Sequence, residues 1–100
     1  MDFGTWLAER RRQAEMTQRD LARKCMVTPA YVAHLESGTS EAPPLQTCKS
    51  LARALGLDWK EVWQRSFAVR LKRWLKKQGH SGIPDDEFAE IVNKIQSASR

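Results

Sequence analysis

The chain has 100 residues, 41% of them hydrophobic and 29% charged, with a formal net charge of +5 at pH 7. This length suits one compact domain, and the apolar fraction argues against wholesale disorder. No apolar run approaches the ~18 residues of a membrane span, and the N-terminal residues are not expected to act as a secretory signal. The basic balance fits nucleic acid or an acidic surface as partner. Cys25 and Cys48 lack metal-ligand spacing, so we expect buried, reduced thiols in a cytoplasmic protein that needs no metal or cofactor.

Helical periodicity runs through nearly the whole chain, and the alternating patterns of strands are almost absent. The first predicted helix covers about 3–14, with Asp2 as its N-cap. The second covers about 18–24, after a capping box formed by Thr17 and Asp20. These signals predict two short consecutive helices joined by a brief turn.

The third predicted helix opens with Thr28-Pro29, a good N-cap followed by a proline at the first helical position, and it ends before Gly38. A polar loop precedes a fourth helix over about 45–55. Helical spacing then continues from 59 to 78, which is compatible with one helix or with two. A turn predicted at 79–82 leads to a last helix whose first turn is acidic.

The fold class is therefore predicted to be all-α, with a compact five-helix domain over 1–65 and a C-terminal helical extension or hairpin over 66–100. Charge divides the end of the chain: residues 60–80 carry seven basic side chains and one acidic one, whereas residues 81–100 carry four acidic and two basic ones. Opposite charges favour an antiparallel pair of helices. The apolar residues predicted to meet in this hairpin and to form a dimer contact are Phe67, Leu71, Trp74, Leu75, Phe88, Ile91, Val92 and Ile95.

Two other uses of the C-terminal third stay open at this stage. The helices can simply cap the core of a monomer, or the basic cluster can add contacts to phosphates. The members of that cluster are Lys72, Arg73, Lys76 and Lys77.

Residues 3–63 resemble the XRE family, the lambda-repressor-like helix-turn-helix domains. The matching features are Phe3-Gly4, Leu7, Arg11, Met16-Thr17-Gln18, Leu21-Ala22, Val27-Thr28, Tyr31-Val32, Leu35-Glu36, Gly38, Pro43, Leu45, Leu51-Ala52, Ala54-Leu55-Gly56 and Val62. Three positions depart from the family pattern. Glu15 and Met26 stand where glycine is usual, and Arg10 takes a position that is often apolar.

The resemblance implies binding to double-stranded DNA, with the helix from Thr28 to Glu36 lying in the major groove. It also implies that Gln18 binds a phosphate and braces this recognition helix, and that Arg11 and Glu36 form a structural ion pair. The recognition helix contains no Arg, Lys, Asn or Gln, so base-reading side chains are few. The residues expected to contact DNA are Gln18, Arg19, Arg23, Thr28, Pro29, Ala30, Tyr31, His34, Ser37 and Thr39.

These features favour a small, sequence-specific transcriptional regulator, a homodimeric repressor encoded by a bacterium or phage. One alternative is the antitoxin of a toxin–antitoxin pair, whose C-terminal helices bind a protein partner. Another is a helical protein-interaction module that does not bind DNA. No constellation of catalytic residues is apparent in the sequence, so we do not expect an enzyme.

Overall fold

Six α-helices follow one another in the computed structural model, which describes residues 2–79 and 84–98. No strand occurs in this part of the chain, which confirms the predicted all-α fold. The turn predicted at 79–82 lies, except for Gly79, outside the described residues. The helices are α1 (Phe3–Gln13), α2 (Gln18–Cys25), α3 (Pro29–Ser37), α4 (Leu45–Leu55), α5 (Trp59–Lys77) and α6 (Asp85–Ala98).

Local capping explains where the first three helices begin. The Asp2 carboxylate accepts a hydrogen bond from the Thr5 amide at 2.8 Å. Thr17 and Asp20 form the reciprocal bonds of a capping box, each 3.0 Å long. The Thr28 hydroxyl accepts from the Tyr31 amide at 3.1 Å. Each of these bonds satisfies an amide that has no partner within its helix, so the predicted helix starts are confirmed.

The core lies where α1 packs against α3, α2 against α3 and α4, and α4 against α5. Both cysteines belong to this core as free, buried thiols, and burial raises the pKa of Cys25. None of the described helices is long and apolar enough to cross a membrane. The largest apolar side chains that are fully buried are Leu7, Leu21, Val32, Leu51 and Val62.

A single 19-residue helix, α5, covers the segment that the sequence left open between one helix and two. Its N-terminal half contributes Val62 to the core, and further along Ser66 is fully buried and Val69 packs on the core. The helix runs without a break through position 65, where the sequence predicted a domain boundary. The second half of α5 is therefore a direct continuation of the fifth helix of the domain predicted over 1–65.

The last helix, α6, packs on α5. Val92 is buried there, and Phe88 is half-buried, as are Phe67, Leu71 and Leu75 on α5. Three of the residues expected in the hairpin interface are instead largely exposed in the single chain. They are Trp74 (56% exposed), Ile91 and Ile95.

Gly4 permits the close approach of α1 to the C-terminal end of α3. A Cβ atom built on Gly4 would lie 2.2 Å from the Glu36 carbonyl oxygen and 2.8 Å from that of Leu35. Such separations are far below any van der Waals contact, so only glycine fits at this crossing. The position of α3 relative to α1 therefore depends on the absence of a side chain at residue 4.

Both positions at which the sequence departs from the family's usual glycine adopt left-handed backbone geometry. Glu15, between α1 and α2, and Met26, which ends α2, each have φ of +57°. Both turns therefore have the backbone geometry that glycine would adopt, although each residue carries a side chain. The strain costs roughly 1 kcal/mol for each residue.

Met26→Gly should therefore stabilise the fold by about 0.5–1 kcal/mol, because glycine adopts this backbone conformation without strain. The Met26 side chain is 92% exposed, so its removal loses almost no packing. Chemical denaturation measures the change. Met26→Ala is the matched control, since it shortens the same exposed side chain but keeps the strained backbone; equal stability of the two variants would contradict the argument.

Candidate nucleic-acid interface

The segment from α2 to α3 consists of two short helices joined by the three residues 26–28. The Val27 amide donates to the Ala22 carbonyl at 3.0 Å, and the Val27 side chain packs against the core. These contacts hold the turn closed, while Thr28 caps the next helix. The two helices thus keep a defined relative orientation.

A polar brace at the end of α3 fixes this helix to α1 and α2. Arg11 donates from Nε to one carboxylate oxygen of Glu36 at 2.7 Å and from Nη2 to the other at 3.1 Å. The Gln18 side-chain amide donates to Glu36 Oε1 at 3.0 Å. The structure thus brings together the expected ion-pair partners and places Gln18 beside them.

The brace reaches further because Arg11 also donates from Nη1 to the Met16 carbonyl at 2.8 Å. One guanidinium therefore links α1, the turn before α2 and the C-terminal end of α3. The Arg11 and Glu36 side chains are only 11% and 7% exposed. Hydrogen bonding to Glu36 raises the pKa of Arg11 above its usual value, so the guanidinium stays charged. This geometry is the bidentate arrangement that orients a carboxylate most tightly.

One face of α3 is exposed along the whole helix, beginning at its N-terminal end. Thr28, Pro29, Ala30, His34 and Ser37 are all exposed. Tyr31, also expected to contact DNA, is half-buried and packs against the core. Its phenol has a hydrogen bond with Thr47, and burial raises its pKa. Tyr31 therefore sits at the junction of α3 with α4, at the edge of the exposed surface.

The C-terminal end of α3 is capped by backbone hydrogen bonds to the His34 carbonyl. The amides of Gly38, Thr39 and Ser40 all donate to the His34 carbonyl, at 3.1–3.2 Å. Because these amides are occupied, the groups left to meet a ligand here are side chains. The Ser37 and Thr39 hydroxyls lie 3.0 Å apart on the exposed side.

Two cations flank this surface on α2. Arg19 and Arg23 are four residues apart, so they share one face of the helix, and both are exposed. Together with the half-buried Gln18 they give the α2 side of the unit a positive, hydrogen-bonding surface. Guanidinium groups of this kind bind phosphate oxygens in two-bond geometry.

A second polar anchor was missed by the sequence analysis. The guanidinium of Arg70, on α5, donates to the Pro43 carbonyl and to the Ser66 hydroxyl and lies 3.7 Å from the ring centroid of Trp63. Cys48 Sγ contacts the same Pro43 carbonyl at 3.6 Å. This cluster ties the loop after α3 to α5. Its one sequence signal was Ser66, a polar residue within the apolar stripe of α5.

Arg10, the third departure from the family pattern, also has a structural role. Its guanidinium lies 5.8 Å from the ring centroid of Trp6 and 3.6 Å from a Glu61 carboxylate oxygen. Arg65 approaches the same ring to 5.5 Å. The cation thus covers a buried aromatic ring where a hydrophobic side chain is more usual, and it links α1 to α5.

The bundle contains two short helices, α2 and α3, joined by a tight turn. The second is braced at its C-terminal end and exposed near its N-terminus. These features define a helix-turn-helix domain. The family model described as helix-turn-helix matches residues 7–62, and the chain belongs to this family. The match confirms the resemblance to XRE-type domains and places the chain among DNA-binding transcription regulators.

A solved structure of a complex between the SinR and SinI proteins contains a chain of similar fold. The two chains share 15% identity and superpose with a TM-score of 0.58, over 97% of each. The likeness therefore includes the C-terminal helices as well as the five-helix unit. A search of curated proteins found no significant match.

Proposed function

We propose that this chain binds double-stranded DNA sequence-specifically, with α3 in the major groove, and that it acts as a small repressor. The observation that carries the proposal is the brace of Arg11, Gln18 and Glu36. It holds the C-terminal end of α3 against α1 and α2, while the N-terminal part of α3 remains exposed. A reading helix needs this combination, since its first residues enter the groove while its other end is held by the domain.

Each exposed side chain suits a particular part of the DNA. Ala30 fits a thymine methyl group, and His34 can donate to guanine N7 or O6. Thr28 and Ser37 hydroxyls suit phosphates or base edges, and Gln18, Arg19, Arg23 and Thr39 suit the backbone. Because α3 carries so few base-reading groups, we propose that DNA shape supplies part of the specificity.

We propose further that the C-terminal helices make a homodimer. The apolar side chains of Trp74, Ile91 and Ile95 are exposed on α5 and α6. Exposed apolar surface favours a protein partner where it is contiguous. A dimer would read two half-sites about 34 Å apart. The relative of similar fold was solved in complex with a second, different protein, which keeps a heterologous partner as the second candidate for this surface. An antitoxin would use the surface in that way.

Selection of bound sequences from a random DNA pool tests the central proposal. We expect enrichment of one motif, arranged as two half-sites related by two-fold symmetry if the bound form is a homodimer. Enrichment of a single half-site would contradict the homodimer. Absence of any binding at low salt would contradict DNA binding and favour a protein-interaction module.

The same selection with His34→Ala tests the role of α3. We expect a changed base preference at one position of each half-site, with non-specific binding nearly intact, since His34 is exposed and the substitution leaves the brace untouched. Thr5→Ala, an exposed substitution on α1, is the control and should leave the motif unchanged. An unaltered motif for His34→Ala would remove this residue from the reading surface.

A further inference from the structure

The second half of α5 lies beside the loop that follows the recognition helix. Arg73 Nη1 is 3.5 Å from a carboxylate oxygen of Glu41, a residue of that loop. One turn earlier, Arg70 bonds the Pro43 carbonyl of the same loop. Two successive turns of α5 therefore contact the segment that leads directly out of α3. This part of α5 lies beyond residue 62, where the family match ends.

Helical spacing puts a further cation on the same side. Arg70, Arg73 and Lys77 are three and four residues apart, so they lie along one face of α5. Arg70 is half-buried against Trp63, whereas Arg73 and Lys77 are exposed. The row thus passes from a structural cation next to the core to exposed cations near the end of the helix.

We propose that Arg73, continued by Lys77, forms a second phosphate-contacting surface, in which Arg73 exchanges Glu41 for a phosphate of the DNA backbone. This inference rests on the proposed function, because α3 must lie in the groove for the adjoining loop to approach the flanking backbone. Arg73 contacts Glu41 on that loop. Any DNA phosphates that the loop approaches would therefore lie close to Arg73 as well.

The Arg73–Glu41 pair has the properties that such an exchange needs. The two side chains are 44% and 73% exposed. Exposed pairs contribute little to folding stability, so releasing one costs little. A guanidinium also binds phosphate by two parallel hydrogen bonds, a geometry that suits it at least as well as a carboxylate. In the free protein, Glu41 therefore pairs with Arg73 beside the surface that would face DNA.

The Arg70 anchor joins the loop to α5. Arg70 contacts Ser66 and Trp63 on its own helix and donates to the Pro43 carbonyl of the loop. This bond places the cations of α5 close to the segment that follows α3. Pre-positioned cations add affinity without the entropic loss of ordering a flexible tail.

Salt-dependent binding of the full chain to a mixed-sequence duplex tests the proposal. Titrations between about 50 and 200 mM salt give the slope of log affinity against log salt, which falls by about 0.9 for each lost phosphate contact. Arg73→Gln should reduce the slope by that amount per bound protomer and weaken binding about fivefold to tenfold near 0.1 M salt. Lys60→Gln, which removes one exposed cation thirteen residues earlier on the same helix, about 20 Å away, should leave both unchanged.

Glu41→Gln supplies the opposite arm, because it removes a competing carboxylate and frees Arg73. It should strengthen binding severalfold, and by less in the Arg73→Gln background, where only the repulsion between Glu41 and the phosphates is relieved. If Arg73→Gln and Lys60→Gln both bind like the parent chain, the second surface is wrong while DNA binding stands. If the parent chain itself fails to bind any duplex, the proposed function fails and the surface with it. Unchanged thermal melting of Arg73→Gln verifies that the fold is intact.

Discussion

Replacement of Gly4 by alanine is expected to lower the free energy of unfolding by about 3 kcal/mol, at the upper end of the usual cost of overpacking. The added Cβ would lie 2.2 Å from the Glu36 carbonyl oxygen, and the obstructing atoms are backbone, which cannot rotate away. The helices α1 and α3 must separate, and the brace between Arg11 and Glu36 must lengthen with them. The sign of the change in stability tests the argument, since replacing glycine by alanine within a helix otherwise stabilises a protein by up to about 1 kcal/mol.

Urea denaturation followed by circular dichroism measures the loss of free energy. In a thermal scan the same loss should lower the melting temperature by more than about 10 °C in a chain of this size. Gln13→Ala, at an exposed position of the same helix, is the control and should change stability by less than about 0.5 kcal/mol. An alanine variant as stable as the parent would show that α1 and α3 do not need their close contact.

Glu36→Ala is expected to destabilise the fold by about 3–5 kcal/mol, the range for breaking a buried ion pair from one side. The substitution leaves the Arg11 guanidinium and the Gln18 amide without their carboxylate in a site that is mostly closed to water. It also releases the end of α3, so any DNA affinity that remains should lose sequence preference before it loses non-specific binding.

Two comparisons make the Glu36 experiment specific. Glu61→Ala removes the partner of Arg10 in a pair whose side chains are each 38% exposed, and should cost less than about 1 kcal/mol. The double variant Arg11→Met with Glu36→Leu removes both buried charges, and should be less destabilised than Glu36→Ala alone. Equal losses for Glu36→Ala and Glu61→Ala would show that burial of the Arg11–Glu36 pair has no energetic consequence.

The sequence predicted most of the helix boundaries because the signals that set them are local. Thr17 with Asp20, and Thr28 with Pro29, each satisfy amides within three residues, so their effect does not depend on the rest of the fold. Glu15 and Met26, in contrast, stood out only by comparison with the family pattern. The partners of the brace were likewise predicted only through the family resemblance, since Arg11 and Glu36 are 25 residues apart.

Interactions across the fold explain what sequence reasoning missed. Arg70 and the Pro43 carbonyl are 27 residues apart, and the carbonyl carries no residue-specific signal at all. Gly4 was part of the recognised pattern, yet its role depends on a backbone atom of α3 that lies 32 residues later. The apolar stripe of the C-terminal helices predicted that they pack, but did not predict which members stay exposed.

By itself, therefore, the sequence determined the all-α class, the starts of the first helices and the helix-turn-helix family, because caps, periodicity and residue order act over short stretches of chain. Tertiary structure alone decided that α5 is one continuous helix, that Arg70 and Arg73 contact the loop after α3, and that Trp74, Ile91 and Ile95 are exposed. The physical reason is that burial and long-range hydrogen bonds depend on which surfaces meet, and that is settled only when all the helices pack together.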